Sequence, residues 1–173
     1  MTTATPSIPY GKAEPRPGAW FLRYELPLAH PLDHVWAAVA TPAGLGQWLA
    51  VPDPWDPHLG SPTTFTWQYA GARQTEEGRI TAWDPGRVAE YTMAVNGRAR
   101  FHLEPNGPAA TVLRFTNEIR DLDEADRNSR LAGWHVHFEL LASALAGTPY
   151  DWSVWSLDRY QELLADYADE AQA

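Results

Sequence analysis

The sequence predicts an α+β fold: a curved antiparallel β-sheet wrapped around a long C-terminal α-helix. Two observations carry this. Between residues 63 and 119, five strand-like runs are separated only by short turn signals, which fits an antiparallel meander. After them, "LAGWHVHFELLASALAG" (131–147) places Leu131, Trp134, Phe138, Leu141 and Leu145 at helical spacing. A lone sheet with one apolar face must be covered, and a helix of roughly 30 Å, at about 1.5 Å per residue, is long enough to do so.

The elements follow in order. Residues 2–18 are rich in Thr, Pro and Gly and predict a flexible N-terminal arm over 1–18. "AWFLRYELPL" (19–28) alternates Trp20, Leu22, Tyr24 and Leu26 against Phe21, Arg23 and Glu25, a half-buried strand. Two short helices follow. The first is opened by Pro31 with Leu32, Val35, Trp36 and Val39 on one face, and the second carries Leu45, Trp48 and Leu49. "VPDPWDPHLGSP" (51–62) has four prolines in twelve residues and predicts a loop.

The strand-like runs are "TTFTWQYA", "EEGRITAWD", "RVAEYTMAV", "RARFHLEP" and "ATVLRFTNEI". Asp84-Pro85-Gly86, Asn96-Gly97 and "PNGP" (105–108) mark the turns between the later ones. The long helix is expected from about Ala125 to Ala146, with Gly147 as its cap. "SLDRYQELLADYADEAQ" then predicts an extra helix, with Tyr160, Leu163, Leu164 and Tyr167 on one side. The organisation is one domain over 19–148, with a C-terminal extension over 149–173 packed on it.

Composition bounds function. The 173 residues carry a formal charge of −9, with thirteen basic side chains scattered among twenty-two acidic ones. That speaks against nucleic acid and against an anionic membrane surface. No cysteine is present, which removes disulfides, thiolate nucleophiles and cysteine-based zinc sites, and suits a cytoplasmic location. The first residues lack the pattern of a signal peptide, and no apolar run reaches the ~20 residues that span a bilayer.

The order of elements and four stretches also carry a resemblance. These are "FLRYELPLAHPLDHVWAAVATPAGLGQWLA", "GRITAWDPGRVAEYT", "FHLEPNGPAATVLRFTNEI" and "AGWHVHFELLASALAGTPYDW". Together they resemble the START-like helix-grip (SRPBCC, polyketide cyclase/lipid transport-like) superfamily. They are most similar to small bacterial homologues of the activator of the heat-shock-protein-90 ATPase. The resemblance covers roughly residues 20 to 155. It implies a cavity between sheet and long helix for a hydrophobic small molecule, and no shared catalytic residues.

His135 and His137 invite a metal reading, but two residues apart on a helix they point about 200° apart and cannot chelate one ion. A helical zinc pair needs i, i+4 spacing. Both sit at the borders of the apolar stripe, and His137 lies on the Trp134/Leu141 side. Asn117 shares the face of Leu113 and Phe115, so it is a polar group aimed inward. It either bonds backbone or, with His137, orients a ligand.

Nine tryptophans, each with an N–H to satisfy, suggest a partly wet pocket. The expected ligand-binding set is Trp48, Phe65, Trp67, Tyr91, Phe101, Phe115, Asn117, Trp134, His137, Phe138 and Leu141. Trp48 is the expected gate. For each aromatic singly, plain core is the competing reading. No cofactor, metal or catalytic motif is expected.

The reading is a binding module for a small hydrophobic molecule. A cyclase or dehydratase using His137 and Asn117 stays open as an alternative. So does a chaperone-activator-like interaction module, with a homodimer or a protein partner.

Overall fold

The computed structural model describes residues 7–69 and 74–172. Eight strands form one antiparallel sheet: β1 (Lys12–Arg16), β2 (Ala19–Leu28), β3 (Ala50–Asp53), β4 (Pro62–Trp67), β5 (Gln74–Asp84), β6 (Val88–Met93), β7 (Gly97–Pro105) and β8 (Thr111–Arg120). Their spatial order is β1-β2-β8-β7-β6-β5-β4-β3. Helices α1 (Leu32–Ala40) and α2 (Pro42–Leu45) carry the chain from β2, near one edge, to β3 at the other. Helix α3 (Glu124–Leu145) follows β8, and α4 (Asp158–Gln172) packs on α3. The fold class is therefore the α+β arrangement that the hydrophobic patterning predicts.

Register explains why one face of the sheet is apolar. Across β2 and β8, Leu26 faces Leu113, Tyr24 faces Phe115 and Leu22 faces Asn117. Across β7 and β8, Phe101 faces Phe115 and Ala99 faces Asn117. Period-2 alternation puts all of these on one side, where they are buried. Trp134 and Phe138 of α3 meet that face, with ring centroids 4.4 Å and 5.0 Å from Phe115.

Helix α3 is buried on more than its sheet-facing stripe. Leu131, Trp134, Phe138, Leu141 and Leu145 lie inside as expected, but His135, Ala142 and Leu140 are buried too. The cause is α4, whose Leu163 and Tyr167 are also buried. Arg159 of α4 donates to both Glu139 carboxylate oxygens at 2.7–3.2 Å, which clamps α4 to α3. Gly147, at φ +84°, ends α3 in the left-handed conformation that suits glycine.

Three expectations need correction. Residues 1–6 of the expected arm lie outside the described residues, but 7–18 are structured. Ile8 is buried, β1 pairs with β2, and Pro17-Gly18 makes the turn between them. The expected loop over 51–62 begins with β3, which pairs with β4. Both added strands are the two edges of the sheet, and each contains a proline, Pro15 and Pro52. Proline lacks an N–H but is tolerated on an edge, so composition misread both segments as loop. Finally, α2 ends at Leu45, so Trp48 lies beyond the helix rather than on it.

Candidate ligand cavity

A cavity of about 360 Å³ lies on one flank of α3. Helix α3 supplies one wall through Ser129, Arg130, Gly133, Trp134, Val136 and His137. The sheet side supplies Leu49, Trp67, Tyr69 and Asn96. The C-terminal extension supplies Trp155, Leu157 and Tyr160. A second hollow of about 490 Å³, lined by Pro62, Thr63, Glu77, Arg79 and Thr92 among others, has no aromatic wall.

The space expected between the sheet and the inner face of α3 is filled by side chains. Trp48, Phe65, Tyr91, Phe101, Phe115, Phe138 and Leu141 are each almost fully buried and do not line the 360 Å³ cavity. Phe101, Phe115 and Phe138 pack at 5.0 Å between successive centroids, and Trp48 stacks on Phe138. For these seven the structure places plain core where ligand contact was expected. Aromatic bulk was enough to close the gap. Trp48 also donates to the Ala38 carbonyl at 2.9 Å, which holds it in place rather than at a gate.

Asn117 is likewise committed. Its amide donates to the Asn96 and Arg98 carbonyls at 2.9 and 3.2 Å, and its oxygen accepts the Trp134 indole N–H at 2.8 Å. These bonds use both donors and hold the acceptor, so Asn117 is a structural polar group that shapes one wall by fixing Trp134. The expectation of unsatisfied indoles holds for Trp155 but not for most of the buried rings. Trp48, Trp67, Trp134 and Trp152 all find acceptors within the protein.

Of the expected set, the structure brings Trp67, Trp134 and His137 together. His137 is the centre of an aromatic cage. Trp155 stacks on it at 6.3 Å and 21°, and Trp67, Tyr69, Trp134 and Trp152 lie with centroids at 6.0–6.5 Å. Its Nδ1 lies 2.8 Å from the Trp48 carbonyl. A carbonyl only accepts, so Nδ1 carries the hydrogen and Nε2 presents a lone pair. Burial lowers the pKa to about 4, opposed by the bond to Trp48, so the ring is neutral near pH 7.

His135 faces the opposite flank, as the helical spacing requires. Its Nδ1 is 2.9 Å from Tyr167 Oη. Among the described residues no group of three or more His, Asp or Glu side chains could hold a metal ion.

Four cavity features escaped the sequence reading. Gly133 lies mid-helix, and a Cβ there would meet nothing within 4 Å, so the glycine leaves space on the wall. Helix-interior glycine costs about 1 kcal/mol, and that cost was the available signal. Arg130 donates to Asn96 Oδ1 at 2.6 Å and has no carboxylate partner among the described residues. Glu76, buried, accepts from the Val95 and Asn96 amides, the Asn96 side chain and Trp67 Nε1, and so pins the β6–β7 turn beside the cavity. The Trp155 indole N–H is buried without an acceptor among the described residues, a condition that costs about 1–3 kcal/mol. Only long-range contacts reveal the last three.

The comparisons with known proteins decide the family. Residues 29–146, more than half of the chain, match the model of the Activator of Hsp90 ATPase homolog 1-like protein family. The chain belongs to this family. The helix-grip resemblance read from the four stretches is thereby shown. No curated protein matches the chain.

Among solved structures, CalU16 from Micromonospora echinospora is similar at a TM-score of 0.69 and 19% identity, covering 94% of this chain and 99% of that one. EF2215 from Enterococcus faecalis, a conserved protein of unknown function, gives 0.69 at 14% identity over 94% and 90%. DynU16, from the dynemicin biosynthetic locus, gives 0.63 at 20% identity over 76% and 50%. At these identities the likeness is one of fold. The family segment ends at residue 146, so Trp155, Leu157 and Tyr160 close the cavity from outside it.

Proposed function

We propose that this member of the Activator of Hsp90 ATPase homolog 1-like family binds a small, largely apolar molecule in the cavity on the flank of α3. One observation carries the reading: a 360 Å³ space walled by Trp67, Tyr69, Trp134, Trp155 and Tyr160, with the His137 lone pair among them. Ligand sites are apolar clefts of about 300–1,000 Å³ with a few polar groups that fix orientation. The cavity is at the small end of that range. Indole and phenol rings supply most of the contact area, and His137 Nε2 accepts one hydrogen bond.

The cyclase or dehydratase reading needs His137 as a base with Asn117 as its partner. A pKa of about 4 makes the imidazole a weak base, and Asn117 spends its bonds on Trp134 and main chain. Neither observation favours catalysis. The family match favours one other reading, a chaperone-activator module. The two separate by experiment. Native mass spectrometry of protein from its own host is expected to show a bound small molecule of a few hundred daltons. Finding only apo protein, with stimulation of an Hsp90 ATPase in a coupled assay, would transfer the function to the interaction reading.

A further inference from the structure

We infer that the ligand is an aromatic acid of one or two rings, with its carboxylate held by Arg130 and its ring stacked among the cavity tryptophans. The inference rests on the ligand-binding reading above and sharpens it to a chemical class. Arg130 lies on the cavity wall, half-buried, and one of its nitrogens holds Asn96 Oδ1 at 2.6 Å. Among the described residues its other N–H groups have no acceptor and it forms no ion pair with a carboxylate. Other arginines of the chain, such as Arg98, Arg100, Arg114 and Arg159, do have carboxylate partners.

A guanidinium at the wall of an apolar site is suited to a planar anion, because its fork matches a carboxylate bidentately and its charge is permanent. Glu76 does not fill that role. Its oxygens already accept from two main-chain amides, Asn96 Nδ2 and Trp67 Nε1. The same bonds fix Asn96, and Asn96 in turn fixes the guanidinium, so the cation is held in place before any ligand arrives. A charged donor with free N–H groups at the wall calls for an acceptor-rich ligand head. His137 Nε2, the one acceptor described above, suits a ring hydroxyl or N–H.

Size and walls give the rest of the molecule. At a water's share of about 30 Å³ in the liquid, 360 Å³ equals about a dozen waters, which is room for one or two fused rings. Trp67, Trp134 and Trp155 surround the imidazole and offer flat π surfaces. The net charge of −9 opposes anions at long range, but that field is screened beyond about 8 Å in physiological salt, whereas Arg130 acts at contact.

Titration calorimetry on the full chain tests this with three probes of one shape: 2-naphthoate, neutral 2-naphthamide and cationic 2-naphthylmethylammonium. The expected order is naphthoate at least tenfold tighter than naphthamide, with the cation weakest. Arg130→Gln is expected to weaken naphthoate at least tenfold and to leave naphthamide within about twofold, which also shows that the variant is folded. Naphthamide bound as tightly as naphthoate to the wild-type chain overturns the acid assignment and leaves the cavity reading standing. That comparison needs no variant. Naphthoate affinity unchanged in Arg130→Gln overturns the role of Arg130. Binding of none of the three probes overturns the cavity reading and this inference with it.

Discussion

His137 donates its Nδ1 hydrogen to the main-chain carbonyl of Trp48 at 2.8 Å. This single bond ties α3 to the chain between α2 and β3, and it leaves Nε2 with its lone pair on a ring surrounded by aromatic side chains. The residue is thus a strut that also lines the cavity. Replacing it with phenylalanine keeps the packing but leaves the Trp48 carbonyl without its donor. We expect a loss of about 1–3 kcal/mol, the usual cost of a buried polar group left unpaired. Urea unfolding measures it, and a cost near zero would mean that the bond contributes nothing.

The same histidine sets a pH dependence with a definite sign. Burial lowers its pKa from the ordinary 6.5 to about 4, so the folded chain takes the proton at lower pH than the unfolded chain does. Between about pH 6.5 and 4 the unfolded state binds more protons, and stability therefore falls as pH drops through that window. Above 6.5 the contribution is fully present. The gap corresponds to about 3 kcal/mol at ~1.4 kcal/mol per pH unit. His135, whose pKa burial also lowers, acts in the same direction. Unfolding curves at pH 7.5, 5.5 and 4.5 should show this slope, and His137→Gln should flatten it. An equal slope in the variant would assign the effect to other groups.

Gly133 offers a way to fill the cavity without harming the fold. A Cβ at this position meets open space, and replacing a helix-interior glycine by alanine gains about 0.5–1 kcal/mol. Gly133→Ala should therefore raise the melting temperature by a few degrees. Gly133→Leu should occupy the space beside Trp134 and His137, hold the wild-type melting temperature within a few degrees, and abolish naphthoate binding. Full binding by a stable leucine variant would place the ligand elsewhere.

Tyr167 joins three elements through one hydroxyl. It accepts the Gly11 amide at 2.9 Å and lies 2.9 Å from both Tyr24 Oη and His135 Nδ1. Tyr24 spends its own hydrogen on the Leu131 carbonyl, so Tyr167 is the donor between the two phenols, and His135 donates to Tyr167. Tyr167→Phe should cost about 2–4 kcal/mol, because several partners lose one group together. Hydrogen exchange should quicken first at Gly11 and along β1. Unchanged protection there would show that β1 is held by its pairing with β2 alone.

Asn117→Ala should cost about 2–4 kcal/mol for a similar reason, since it strips Trp134, Asn96 and Arg98 of a partner at once. Thermal unfolding reads it. Asn117→Asp should not rescue the loss, because a carboxylate restores the acceptor for Trp134 but neither donor for the two carbonyls.

Much of the fold was legible because it rests on periodicity. The alternation in "AWFLRYELPL" and "ATVLRFTNEI" specifies which side chains face inward, and the spacing of Leu131, Trp134, Phe138, Leu141 and Leu145 specifies α3. The same helical geometry sets His135 and His137 on opposite flanks of α3. The strands that escaped, β1 and β3, are those for which proline outweighs alternation, and they survive because an edge strand can spare an N–H.

The site was legible only in part. That Trp67, Trp134 and His137 are candidates follows from residue type and face. That they meet on the flank of α3, while Phe101, Phe115, Phe138 and Trp48 close the space beneath it, depends on how large rings interlock. Arg130, Glu76 and Trp155 lie far apart along the chain and carry no motif. Sequence by itself determined which residues are apolar and on which face of which element they stand, because those properties are local. Tertiary structure alone decided where the packing fails to close, and which donors are left without partners, because both depend on contacts between segments distant in the chain.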